Sequence, residues 1–133
     1  MIELIAAMLF VASRTGAPPE SWNCRNQVEV WCAADGCAAT PPGESTPMDI
    51  WASIDGTISV CAYSGCWEGK VATSSSAGRL LWAGDGLPFV SAVKGAGGDV
   101  TLLILAADGV GFIRAGGIAT PLLCARAMRL ESE

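Results

Sequence analysis

The sequence predicts an all-β domain, a small antiparallel meander of about eight strands closing into a barrel or sandwich. Three observations predict it. Short apolar and β-branched runs recur along the chain with turn signals between them, the pattern of many short strands. Asp35, Asp55, Asp85 and Asp108 each precede a glycine, the favoured pair for a two-residue hairpin turn. Sixteen Gly and seven Pro suit tight turns more than helices.

Taken in order, residues 1–17 read as a signal peptide. An apolar stretch, 4–12, runs into small residues and a turn-prone segment at 16–19. Val11-Ala12-Ser13 and Thr15-Gly16-Ala17 both fit the small-residue rule for cleavage, although Glu3 stands where a basic residue is usual. The apolar stretch is about half of the ~20 residues a bilayer span needs. Residues 18–133 then make one disulfide-stapled β domain, since 133 residues leave room for a single core. Strand-like runs lie at 27–32, 48–54, 57–63, 67–73, 79–83, 88–93, 99–106, 110–114 and 118–124. Residues 39–47, rich in Pro, cannot sustain ladder hydrogen bonds and read as an exposed loop. The Ser-rich stretch 73–78 reads as another connection, and 125–131 as a short helical tail. Residues 100–106 are apolar on both faces except at Thr101, which predicts a central, fully buried strand.

Six cysteines, an even number, all follow the expected cleavage site. In an exported chain that means disulfides before anything else and places the protein in the periplasm or outside the cell. Cys32-Ala-Ala-Asp-Gly-Cys37 and Cys61-Ala-Tyr-Ser-Gly-Cys66 share one pattern, in which a glycine before the second cysteine allows a tight reversal. Cys24 and Cys124 remain near the two ends of the mature chain. The preferred pairing is Cys32–Cys37, Cys61–Cys66 and Cys24–Cys124. A rival joins the two short motifs to each other, which places them side by side. The Cys24–Cys124 clasp would bring first and last strands together and favours barrel closure.

Composition excludes several chemistries. The net charge is −5, and the eight Lys and Arg are scattered singly, so no basic surface for nucleic acid is expected. There is no His, which removes Ser-His-Asp and Cys-His catalysis along with the commonest metal ligand. Lys70 or Lys94 could act as base to a serine, but no spacing marks either. With most Asp committed to turns, Glu29, Glu44, Asp49, Glu68 and Asp99 read as solvated surface. The expectation is a non-enzymatic domain with no cofactor and no metal.

Alternation marks a surface. In 27–32, Gln27, Glu29 and Trp31 share the polar face; in 48–54, Trp51 falls among Asp49 and Ser53; in 57–63, Tyr63 lies opposite Ile58, Val60 and Ala62. Trp31, Trp51 and Tyr63 are therefore expected on the solvated side of consecutive strands, as a contact surface for protein or sugar or beneath a covering loop or sheet.

Trp22-Asn23-Cys24, Val28 to Cys32, the two short cysteine motifs, Cys66-Trp67-Glu68-Gly69 and Pro121-Leu122-Leu123-Cys124 together resemble small uncharacterised exported proteins of proteobacteria, a likeness that implies no activity. Ser76-Ala77-Gly78-Arg79-Leu80 and Phe89…Lys94-Gly95 are similar to the two motifs by which membrane-bound inhibitors of c-type lysozyme, small periplasmic β-barrels, act at the enzyme's cleft. Here Ala and Gly are transposed, Leu80 stands in the aromatic's place, and Phe89 precedes Lys94 by five residues instead of three. That resemblance implies Ser76 and Lys94 as contacts. The expected functions are thus an envelope or extracellular binding domain for protein or glycan, an inhibitor of a wall-degrading enzyme, or a carrier of a small apolar ligand.

Overall fold

The computed structural model describes residues 20–63, 65–91 and 97–127. The expected signal peptide and Lys94 lie outside the described residues. Every regular element among the described residues is a β-strand. They are β1 (Ser21–Asn26), β2 (Val30–Ala33), β3 (Gly36–Ala39), β4 (Asp49–Ser53), β5 (Thr57–Ala62), β6 (Gly65–Lys70), β7 (Ala72–Ser76), β8 (Arg79–Leu87), β9 (Phe89–Ser91), β10 (Gly98–Leu105), β11 (Val110–Ala115) and β12 (Ile118–Ala127).

These twelve strands pair antiparallel in the order β7-β8-β10-β11-β12-β1-β4-β5-β6-β9, with the β2–β3 hairpin attached to the start of β12. The sheet curls into a half-barrel. Its outermost strands, β7 and β9, are joined by no ladder among the described residues, so closure differs from the expectation, as does the strand count. The clasp explains part of the difference. Cys24 lies directly opposite Cys124 on β1 and β12, and these strands sit in the middle of the sheet, not at its edges. First and last strands therefore meet at the centre, and the free edges fall mid-sequence.

The six cysteines pair as Cys24–Cys124, Cys32–Cys37 and Cys61–Cys66, leaving none free. Three disulfides fit an oxidising compartment. Each short bridge spans directly opposed residues of one hairpin, β2–β3 or β5–β6.

Three readings fail at the sheet surface. Residues 72–76 form the edge strand β7, because Ser74 and Ser75 pair with Leu81 and Leu80 of β8 despite their low strand preference. Residues 125–127 continue β12 opposite β1 and are not helical. Strand β10 buries only one face: Val100, Leu102 and Ile104 point into the core, while Leu103 lies outward in a row with Leu81, Phe112 and Pro121. Of the Asp-Gly pairs, Asp55 and Asp108 do accept the backbone N–H two residues on at turns, whereas Asp85-Gly86 sits inside β8 near its bulge. Gly109 needs its glycine: its φ is +75°, and an added Cβ would stand 2.3 Å from the Cys124 carbonyl oxygen.

The hollow of the half-barrel is filled. Trp22, Met48, Ile50, Ile58, Val60, Trp82, Leu102, Ile104 and Ile118 are all buried, each aliphatic side chain contributing about 1.5–3 kcal/mol. Trp82 donates its indole N–H to the Ser53 carbonyl at 2.7 Å, tying β8 to the end of β4 across that core.

Candidate binding site

The site begins with an extra residue. Asn26 of β1 stands opposite Leu122 of β12, and Trp31 of β2 stands opposite Ile118. Five residue steps on one strand thus match four on the other, a one-residue bulge at 27–29. A bulge reverses which side chains face inward, and this one turns Glu29 into the protein. Glu29 is 3% exposed and Val28 is 44% exposed, the reverse of the alternation read from the sequence. Glu29 is not solvated surface.

The buried carboxylate is fully engaged. Its Oε1 accepts the Trp31 indole N–H at 2.6 Å, the Tyr63 hydroxyl at 2.6 Å and the Thr40 hydroxyl at 3.2 Å. Its Oε2 accepts the Thr46 backbone N–H at 2.6 Å. Burial by itself pushes the pKa up, but the bonds from Tyr63, Trp31, Thr46 and Thr40 outweigh it and hold Glu29 at about 2, below its usual 4.5. The Tyr63 phenol is pushed up in return, first by its bond to Glu29 and then by burial. Glu29 makes no ion pair among the described residues, whose two ion pairs use Asp49 and Glu20.

The same carboxylate organises the Pro-rich segment. Thr40 and Thr46 reach it from either side of the Pro41-Pro42-Gly43 turn, and the Thr40 N–H also donates to the Glu29 carbonyl. Asn26 finishes the anchor, accepting the Met48 N–H at 2.7 Å and donating to the Thr46 carbonyl. The exposed loop is therefore tied to the bulge at its base.

Above the carboxylate two rings meet. Trp31 and Tyr63 have centroids 6.1 Å apart and planes tilted by 44°, and they remain 40% and 59% exposed. Each ring belongs to a hairpin closed by one of the short disulfides: Trp31 precedes Cys32, and Tyr63 lies between Cys61 and Cys66. The repeated cysteine motif thus places its two turns near one another without joining them covalently. Tyr63 carries φ +58°, an unfavourable conformation for a bulky residue that its fixed hydroxyl and the closed hairpin maintain. Beneath Trp31 lies Gly117, where an added Cβ would stand 2.9 Å from the indole Cε3, and the Cys32 N–H bonds the Gly117 carbonyl. Trp31, Cys32, Cys37, Ala38, Asp35 and Gly117 line an open, mainly apolar recess.

No family model, curated protein or solved structure matches the chain.

The other expected residues lie elsewhere. Trp51 sits half-buried on the outward side of β4, opposite Asn23 and Ser59, and pairs with no other ring among the described residues. Ser76 is exposed at the end of the edge strand β7, opposite Arg79. Phe89, in the second motif of the lysozyme-inhibitor likeness, is in β9 at the other end of the strand order and packs on Trp67 at 4.7 Å. Sequence reasoning named Trp31 and Tyr63 but missed Glu29, Thr40, Thr46 and Gly117. The one signal available was an acid within an apolar run beside a tryptophan, and it marks no bulge.

Proposed function

We propose that this is a non-enzymatic binding domain of the periplasm or extracellular space, engaging a partner through the Trp31–Tyr63 pair. The observation that carries the reading is that two half-exposed rings share one buried carboxylate on a frame of two disulfide-closed hairpins. Aromatic side chains held rigid in this way bind at low entropic cost, because their rotamers are already fixed. A protein fits the site better than a glycan. The indole N–H and the phenol O–H both point inward to Glu29, so the rings offer apolar faces and few of the hydrogen bonds that sugar hydroxyls require. The carrier reading loses ground, because Trp22, Trp82 and Met48 occupy the interior that a small apolar ligand would need.

The test is crosslinking capture from envelope extract of the native host, comparing the wild-type domain with Trp31→Ala, Tyr63→Ala and Trp51→Ala. A discrete partner captured by wild type and Trp51→Ala, and lost with Trp31→Ala and Tyr63→Ala, is the expected result. Equal capture by all four proteins would refute the role of the pair. Binding of purified wall glycan in place of any protein would move the partner to the other class.

A further inference from the structure

The recess beside Trp31 has a charge character that selects among ligands. Both rings donate their polar hydrogens to a carboxylate oxygen at 2.6 Å. Such bonds to an anion push electron density back into the π-systems and deepen the negative potential at the ring faces. Glu29 keeps a full negative charge in a buried position, where charges are ordinarily paired. Its hydrogen bonds stabilise the charge without cancelling it, and two of the donors are the half-exposed rings themselves.

The surroundings reinforce that sign. Asp35 is exposed and lines the recess, while no Lys or Arg does so. Arg25 and Arg126 are paired with Asp49 and Glu20, and Arg114 donates to the Gly116 carbonyl beside the recess without lining it. The chain as a whole carries −5, which draws cations toward the surface.

We infer that the Trp31–Tyr63 pair is a receptor for an organic cation: an ammonium or guanidinium group seated against the two rings, with the Glu29 carboxylate at their polar edges and Asp35 in the adjoining recess. This rests on the binding reading above and names the chemistry the partner must present. The protein partner read above would present it as a lysine or arginine side chain.

The experiment follows the Trp31 indole N–H and the Tyr63 ring by NMR on the whole domain during titration with choline. Parallel titrations use the neutral isostere of choline, in which carbon replaces nitrogen, and the N-acetylated tripeptide amides Gly-Lys-Gly and Gly-Arg-Gly, whose only cation is the side chain. The expected result is saturable movement of the Trp31 and Tyr63 signals, with a cation binding roughly tenfold tighter than the isostere. Added salt weakens the binding, and Asp35→Asn weakens it roughly threefold in an intact fold. Tighter binding of a tripeptide than of choline supports a protein side chain as the cation, and tighter binding of choline overturns that source in favour of a headgroup. Equal binding of isostere and choline, or no movement of either signal with any cation, overturns the cation itself. That failure is separable from failure of the binding reading. If Trp31→Ala still abolishes partner capture, the contact stands and only its cationic character falls; if capture persists as well, both fall.

Discussion

Replacing Glu29 by Gln removes the charge while keeping the shape, and its effect can be worked out in advance. The folded carboxyl titrates at about 2 against a usual 4.5. A folded pKa below the unfolded one means that the charged form stabilises the fold. That contribution is complete above pH ~4.5 and is lost as pH falls toward 2. The difference corresponds to about 3 kcal/mol at ~1.4 kcal/mol per unit, an upper value because denatured chains keep some interactions of their own. Gln also meets donors at both oxygen positions, since Trp31, Tyr63 and Thr40 surround Oε1 and the Thr46 N–H faces Oε2. Its amide nitrogen must point at one of them. Urea unfolding of both proteins, followed by near-ultraviolet circular dichroism from pH 7 to 2.5, reads the stability gap directly, because the other acids titrate alike in both. The gap should be about 2–3 kcal/mol at pH 7 and shrink below pH ~4.5, where Glu29 of the unfolded chain takes up a proton while the folded carboxylate stays charged until pH nears 2. A gap that stays constant across that range, or a Gln variant as stable as wild type, would refute the charged anchor.

Other substitutions separate staple from site. Replacing Cys24 and Cys124 together by Ala should cost up to about 4–5 kcal/mol in urea unfolding, against ~2 kcal/mol for Cys32 and Cys37, because the first bridge closes a loop of about a hundred residues. Gly117→Ala should leave stability within about 1 kcal/mol while shifting the Trp31 indole signal and weakening partner capture, since its Cβ intrudes on the ring; an unmoved Trp31 signal would show that the ring does not rest on that backbone. Gly109→Ala should destabilise by about 2 kcal/mol or more in the same unfolding assay, through a positive φ and a Cβ driven against the Cys124 carbonyl. Trp82→Phe should cost about 1–3 kcal/mol, read by thermal and urea unfolding, by leaving the buried Ser53 carbonyl without its donor.

What could be read from the sequence is what repeats with a fixed period or closes locally. Ile58, Val60 and Ala62 alternate and are buried as expected, and the two cysteine hairpins form where a glycine precedes the second cysteine. Strand order was legible only in part. The Cys24–Cys124 clasp predicted that first and last strands meet, but nothing local shows that β1 also pairs with β4 and so sets that meeting in the middle of the sheet. The outward placement of Leu103 was hidden for a related reason: apolar composition on both faces looks the same whether the second face is covered by another layer or left as a row of Leu81, Leu103, Phe112 and Pro121. The serines of 73–76 read as a loop because strand preference is set by neighbours, and β8 supplies the neighbour.

The misreading at Glu29 has a different origin, and it joins the fold to the site. Alternation assumes an unbroken ladder, so a single inserted residue inverts the inference at the residues that make it, here Val28 and Glu29. Here the insertion falls between the stretch that carries Cys24 and the hairpin that carries Trp31. With regular pairing Glu29 would face water and Val28 the core, and Trp31 and Tyr63 would have no common acceptor. The bulge instead costs the burial of a carboxylate, which only four donors make tolerable, and those donors come from 31, 40, 46 and 63. Four segments of one chain thus converge on one pair of oxygens. The local rule that fails is broken at the place where the structure spends stability to hold two aromatic rings half open to solvent, and a core-packing role alone would require neither the charge nor the exposure.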